Sequence, residues 1–173
     1  MKNLTVGYYE NFPQSLHVCE TFASTVSNKQ LQSNIMQILQ NLNCQELSFE
    51  EISHPTIPKG SVIFEFGIAE DGNFNFIDRE ELQKTLKLLN KGHFSVLDLF
   101  CAIRYYRKKN ETKAALKFDY YLLRTVFRKN RLEVQVFHER GPRYISPQDL
   151  VNFLQRNINK GKTKKILKKV ELS

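Results

Sequence analysis

The sequence has no tryptophan, and only three cysteines, five prolines and seven glycines in 173 residues. Scarce glycine and proline exclude collagen-like and low-complexity chains. Cys19, Cys44 and Cys101 lie far apart, so they build no disulfide framework, and no Cys-x-x-Cys pair offers zinc or redox chemistry. A reducing, cytoplasmic setting is the simplest expectation. Long hydrophobic runs are also missing. The apolar stretch beginning at Leu99 is a handful of residues long, far below a bilayer span. The opening Met1-Lys2-Asn3-Leu4-Thr5 lacks the apolar stretch of a secretory leader, so none is expected.

Several catalytic signatures are lacking too. No glycine loop precedes a Gly-Lys-Ser/Thr, and there is no Gly-x-Ser-x-Gly elbow and no His-Glu-x-x-His. A Glu-x-Glu-x-Lys strand finds only Phe64-Glu65-Phe66-Gly67-Ile68, with one Glu and no Lys. The four histidines (17, 54, 93, 138) have no metal-ligand spacing, so neither a metal nor a cofactor is expected.

What the chain does have is bulk and charge. Thirteen Phe and seven Tyr supply a core, and 41% hydrophobic with 25% charged residues is a globular composition. The net charge of +8 is unevenly placed. Residues 1–92 carry seven Lys+Arg against eleven Asp+Glu, a balance of −4. The remainder carries nineteen against seven, a balance of +12. Such a gradient points to an anionic partner, nucleic acid before others.

Periodicity gives the order of elements. Residues 3–9 and 15–23 read as short strands around an Asn11-Phe12-Pro13 turn. Ser27-x-x-Gln30 caps a helix over 28–42 whose Leu31, Ile35, Ile38, Leu39 and Leu42 share a face. Leu47 and Phe49 suggest a strand, and His54-Pro55-Thr56-Ile57-Pro58 is extended. Val62, Phe64, Phe66 and Ile68 alternate, then Asp71-Gly72 turns the chain into Phe74 and Phe76. Asp78-x-x-Glu81 opens a helix lined by Leu82, Leu86 and Leu89. Long strands over 94–107 and 114–127 flank a polar loop at 108–113, and 131–138 returns after Lys129-Asn130. Ser146-Pro147 starts the last helix.

The pairing expected across the loop puts Leu99 opposite Leu122, Cys101 opposite Tyr120, Ile103 opposite Phe118 and Tyr105 opposite Leu116. A slip of one residue sets Asp119 against Ile103, which looks costly. In the favoured register Tyr106 and Tyr121 are the exposed aromatics. The middle strand, 114–127, also carries Tyr121, Leu123 and Phe127 on its other side, so it is apolar on both faces and covered twice, by helices, a second sheet or barrel closure.

The expected fold class is therefore α+β, a mostly antiparallel sheet, curved or barrel-like, with three main helices packed on it. One domain covers 1–158, with an acidic half (1–92) and a basic long-stranded half (93–158). A lysine-rich tail follows at 159–173, where Ile166, Leu167 and Val170 could share one helical face.

Basic and aromatic residues interleave in the second half. The candidate nucleic-acid contacts are Arg104, Tyr106, Arg107, Lys108, Lys117, Tyr121, Arg124, Arg128, Arg131, Arg140, Arg143, Lys164 and Lys165. Cations suit phosphates and flat rings suit unstacked bases, so RNA or another single strand is the favoured ligand and binding without catalysis the favoured function. An acidic protein, a larger complex or a second copy of the chain is the alternative partner. A phosphate-substrate enzyme is the third reading, and requires Glu65, Asp98, Asp119 and His138 to converge. Asp98 and Asp119 are more cheaply explained by pairing with Arg104 or Arg124.

Overall fold

Three side-chain caps set the helices in the computed structural model, which describes residues 5–54 and 57–171. Ser27 accepts from the Gln30 N–H and starts α1 (Asn28–Leu42). Asp78 accepts from the Glu81 N–H and starts α2 (Arg79–Leu89). Ser146 accepts from the Asp149 N–H, with Pro147 in the first turn, and starts α3 (Pro147–Asn159).

The strands in chain order are β1 (Val18–Ser24), β2 (Glu46–Ser48), β3 (Gly60–Glu70), β4 (Asn73–Phe76), β5 (Val96–Lys109), β6 (Thr112–Ala115), β7 (Asp119–Arg128), β8 (Arg131–Arg140) and β9 (Leu167–Lys169). All nine join one antiparallel sheet. Its order is β2-β3-β5-β7-β8-β1-β9, with β4 on β3 and β6 on β5. The architecture is α+β, and the sheet stays open rather than closing into a barrel, because β2 and β9 remain at opposite edges.

One face carries the core. Phe22, Leu99, Leu123, Leu132 and Val134 meet Ile35 and Leu39 of α1 and Val151 and Ile158 of α3. Phe64 stacks on Phe153 of α3 at 5.3 Å. No helix among the described residues covers the opposite face. A strap at Thr5–Pro13 and the β3–β4 hairpin cover part of it. Gly7 fits the strap between two strands: its N–H donates to the Ala69 carbonyl (2.7 Å) and its carbonyl accepts from Asp98 (2.6 Å). Its φ of +90° and the closeness of Leu97 leave little room for a side chain.

Several expectations need correction. The described part of the first expected strand is this strap, with one isolated bridge from Val6 to Glu70. Residues 1–4, Pro55 and Thr56 lie outside the described residues. Phe49 begins a single 3-10 turn rather than extending β2. The loop expected at 108–113 is a tight turn, with Asn110 at φ +57°. The lysine-rich end is not a detached tail or a helix: β9 adds to the free edge of β1, and Ile166 and Leu167 are buried.

The register correction matters most. Along β5–β6, Tyr106 faces Ala115, as expected. Between Ala115 and Asp119 the chain takes one residue more than β5 does, so Ile103 faces Asp119, Cys101 faces Tyr121 and Leu99 faces Leu123. A bulge at 116–118 absorbs that residue, and every side chain beyond it changes face.

Candidate nucleic-acid interface

The bulge sorts the aromatics of β7. Tyr121, expected to be exposed, points into the core and is fully buried. Its hydroxyl donates to the Ile145 carbonyl, and burial first, then nearby Asp119, push its pKa far above the usual tyrosine range. Phe118 and Tyr120 instead reach the helix-free face, both half-buried.

There they join rings from other strands. Tyr9 lies 4.8 Å from Phe74, Phe74 5.7 Å from Phe100, Phe100 5.7 Å from Tyr120, and Tyr120 6.4 Å from Phe118. These half-buried rings form a continuous ladder across four elements. Two guanidinium groups stack on it: Arg140 sits 4.4 Å over Tyr120 and Arg104 5.2 Å over Phe118. Arg104 also pairs with Glu65 at 2.9 Å.

The other candidate cations divide into groups. Lys117 is exposed at the bulge beside Phe118, and Arg107 and Lys108 are exposed on the β5–β6 hairpin next to half-buried Tyr106. Arg128 and Arg131 flank the β7–β8 turn, and Lys164 and Lys165 lie near it, because Ser24 bonds Asn130 and Thr25 bonds the Lys165 carbonyl. The length of β7, ~34 Å at the usual strand rise, separates this group from the ladder's bulge end. The thirteen candidates therefore do not form one patch.

Arg124 and Arg143 serve the fold. Arg124, one of the two arginines the sequence offered as partners, makes a bidentate pair with buried Asp98 at 2.8 and 2.9 Å. It also donates to the Tyr9 carbonyl and lies against Phe12, which pins the strap, and its bond to Asp98 holds its charge firmly. Arg143 donates from its side chain to His138 Nδ1 (3.0 Å) and from its backbone to Asp119 (2.7 Å).

Asp119 is the centre of a buried network. Its carboxylate accepts from the Tyr105 hydroxyl (2.5 Å), His138 Nε2 (2.9 Å) and the N–H groups of Arg143 and Tyr144 (2.7 and 3.0 Å). Since His138 Nδ1 accepts from Arg143, the Nε2 proton is the one directed at Asp119. Asp119 and His138 thus meet on the core side, while Asp98 and Glu65 bind arginines on the other face. The four residues required by the enzymatic reading do not converge. Among the described residues, no group of three or more His, Cys, Asp or Glu is placed to hold a metal, and no helix is long and apolar enough to cross a membrane.

Sequence reasoning missed Phe74, Phe100, Phe118 and Tyr120 as surface groups. The signal for Phe100 was its alternation with Asp98 and Arg104. Tyr120 depended on the bulge. No family model, curated protein or solved structure matches this chain.

Proposed function

We propose that this protein binds single-stranded nucleic acid, RNA in the first instance, by stacking unpaired bases on the helix-free face of its sheet. The observation that carries this reading is the ladder Phe74–Phe100–Tyr120–Phe118, half-buried and topped by Arg104 and Arg140. Stacking on such rings contributes ~1–3 kcal/mol per base and needs no particular sequence. Lys117, Arg107 and Lys108 extend positive charge from the ladder's bulge end and suit the phosphates. The chain's role in this reading is to hold the strand rather than to react with it.

The test is fluorescence anisotropy with a labelled single-stranded RNA over a range of salt concentrations. The expected affinity falls steeply as salt rises, and a duplex of the same sequence, its bases already stacked, binds more weakly. Salt-insensitive binding, or equal affinity for the duplex, counts against the reading.

A further inference from the structure

Beside the ladder lies a cleft of about 440 Å³ between the strap, the β3–β4 hairpin and the end of β8. Phe74, Phe100 and Phe137 give it flat apolar walls, and Asn11, Asn73 and Glu139 bring polar groups to it. Glu139 is exposed and, among the described residues, makes no ion pair. A second β-bulge explains its position. Tyr121 faces His138 but Tyr120 faces Arg140, so β8 carries one residue more than β7 there. Glu139 in the cleft and Arg140 over Tyr120 therefore stand together on the helix-free face, although they are adjacent in sequence.

A carboxylate weakens a surface meant for phosphates unless it recognises something. It can only accept hydrogen bonds. The ring walls call for a flat ligand, and the neighbouring guanidinium calls for an anionic one. We infer that this cleft takes one base of the bound strand and that Glu139 selects guanine. Guanine alone presents two adjacent N–H donors on its pairing edge, at N1 and N2, which match the two oxygens of a carboxylate. Adenine and cytosine place a ring acceptor beside their amino group, and uracil sets its single N–H between two carbonyls. Each of these turns a lone pair toward Glu139.

The inference rests on the single-strand reading and deepens it. Its test compares a uridine oligomer with three others that carry one central guanosine, inosine or adenosine, each titrated against the wild type and Glu139→Gln. Glu139 is a surface residue, so the variant folds, which circular dichroism checks. The wild type is expected to bind the guanosine oligomer about tenfold more tightly than the adenosine one, with inosine, which lacks the N2 amino group, in between. In Glu139→Gln the guanosine advantage disappears while the plain uridine oligomer binds no more weakly than it does to the wild type, since one charge that repels phosphates is gone. Equal binding of guanosine and adenosine oligomers by the wild type overturns the inference, as does a preference that survives in Glu139→Gln; both leave the stacking reading intact. If the wild type binds none of the four, the single-strand reading falls and this one with it.

Discussion

Ile103 and Asp119 stand opposite each other on β5 and β7, an aliphatic side chain and a carboxylate both directed at the core. The pairing is stable because Asp119 is fully bonded. Tyr105, two residues along the same face of β5, donates its hydroxyl, and the loop after β8 returns to supply two backbone N–H groups. Gly141 permits that return: at φ +116° it lies so close that an added Cβ would stand 2.8 Å from Asp119 Cα. The network fixes the bulge, and the bulge decides which rings reach the open face.

Asp119→Asn is expected to lower stability by about 3 kcal/mol, since the amide turns a donor toward groups that already donate. The loop over Gly141–Ile145 should loosen, giving faster tryptic cleavage at Arg140 and Arg143. Urea unfolding and limited proteolysis check this. A variant within about 0.5 kcal/mol of the wild type shows that the four bonds do not hold the loop.

Neighbouring tyrosines on β7 should respond in opposite ways. Tyr120→Ala removes a ladder ring from the open face and is expected to weaken single-strand binding about tenfold, with a modest effect on stability. Tyr121→Phe removes only the bond to the Ile145 carbonyl, so it costs about 1 kcal/mol of stability and leaves binding unchanged. Anisotropy and urea titrations on both variants separate the two roles. A binding loss in Tyr121→Phe without one in Tyr120→Ala contradicts this division of roles.

Much of this was legible from the chain and some was not. Local signals travelled well: Ser27, Asp78 and Ser146 each cap the helix they precede, and Asp98 pairs with Arg124, one of the two arginines the sequence offered, whereas the Asp119 side chain pairs with neither. The bulge was hidden because the four donors to Asp119 come from Tyr105, His138, Arg143 and Tyr144, scattered along the chain, so burial of the acid looked uncompensated. The basic and aromatic interleaving covers the strands that carry Phe118 and Tyr120, but which of the β7 rings face outward depended on that one residue. For the lysine-rich end, the spacing of Ile166 and Leu167 suited either a helix or a strand, and the free edge of β1 decided it.

A pH dependence follows from His17. Its Nδ1 accepts from the His138 N–H, and desolvation, Arg143 and His138 together hold its pKa below the ordinary 6.5. The unfolded chain takes up this proton at a higher pH than the folded one. The contribution is therefore complete above 6.5 and declines as the pH falls through the window beneath it. His17→Asn keeps an acceptor for the His138 N–H and removes the titration, so the acid-side slope of its urea midpoints should be shallower. An unchanged slope assigns the effect to other groups.

The core retains an unfilled space of about 30 Å³, entirely apolar, where α1 and α3 meet the sheet around Leu99, Leu123, Val134 and Val151. That is close to the volume of a single methylene, and atoms lining such a void lose their partners on one side. Val151→Ile adds one carbon at the α3 side, keeps β-branching and needs no new polar contact. It is expected to stabilise the protein by up to about 1 kcal/mol, read as a higher urea midpoint at constant m-value. A lower midpoint shows instead that the added methyl meets the β7–β8 side chains rather than the void, which makes the packing between α3 and the sheet tighter than its shape implies.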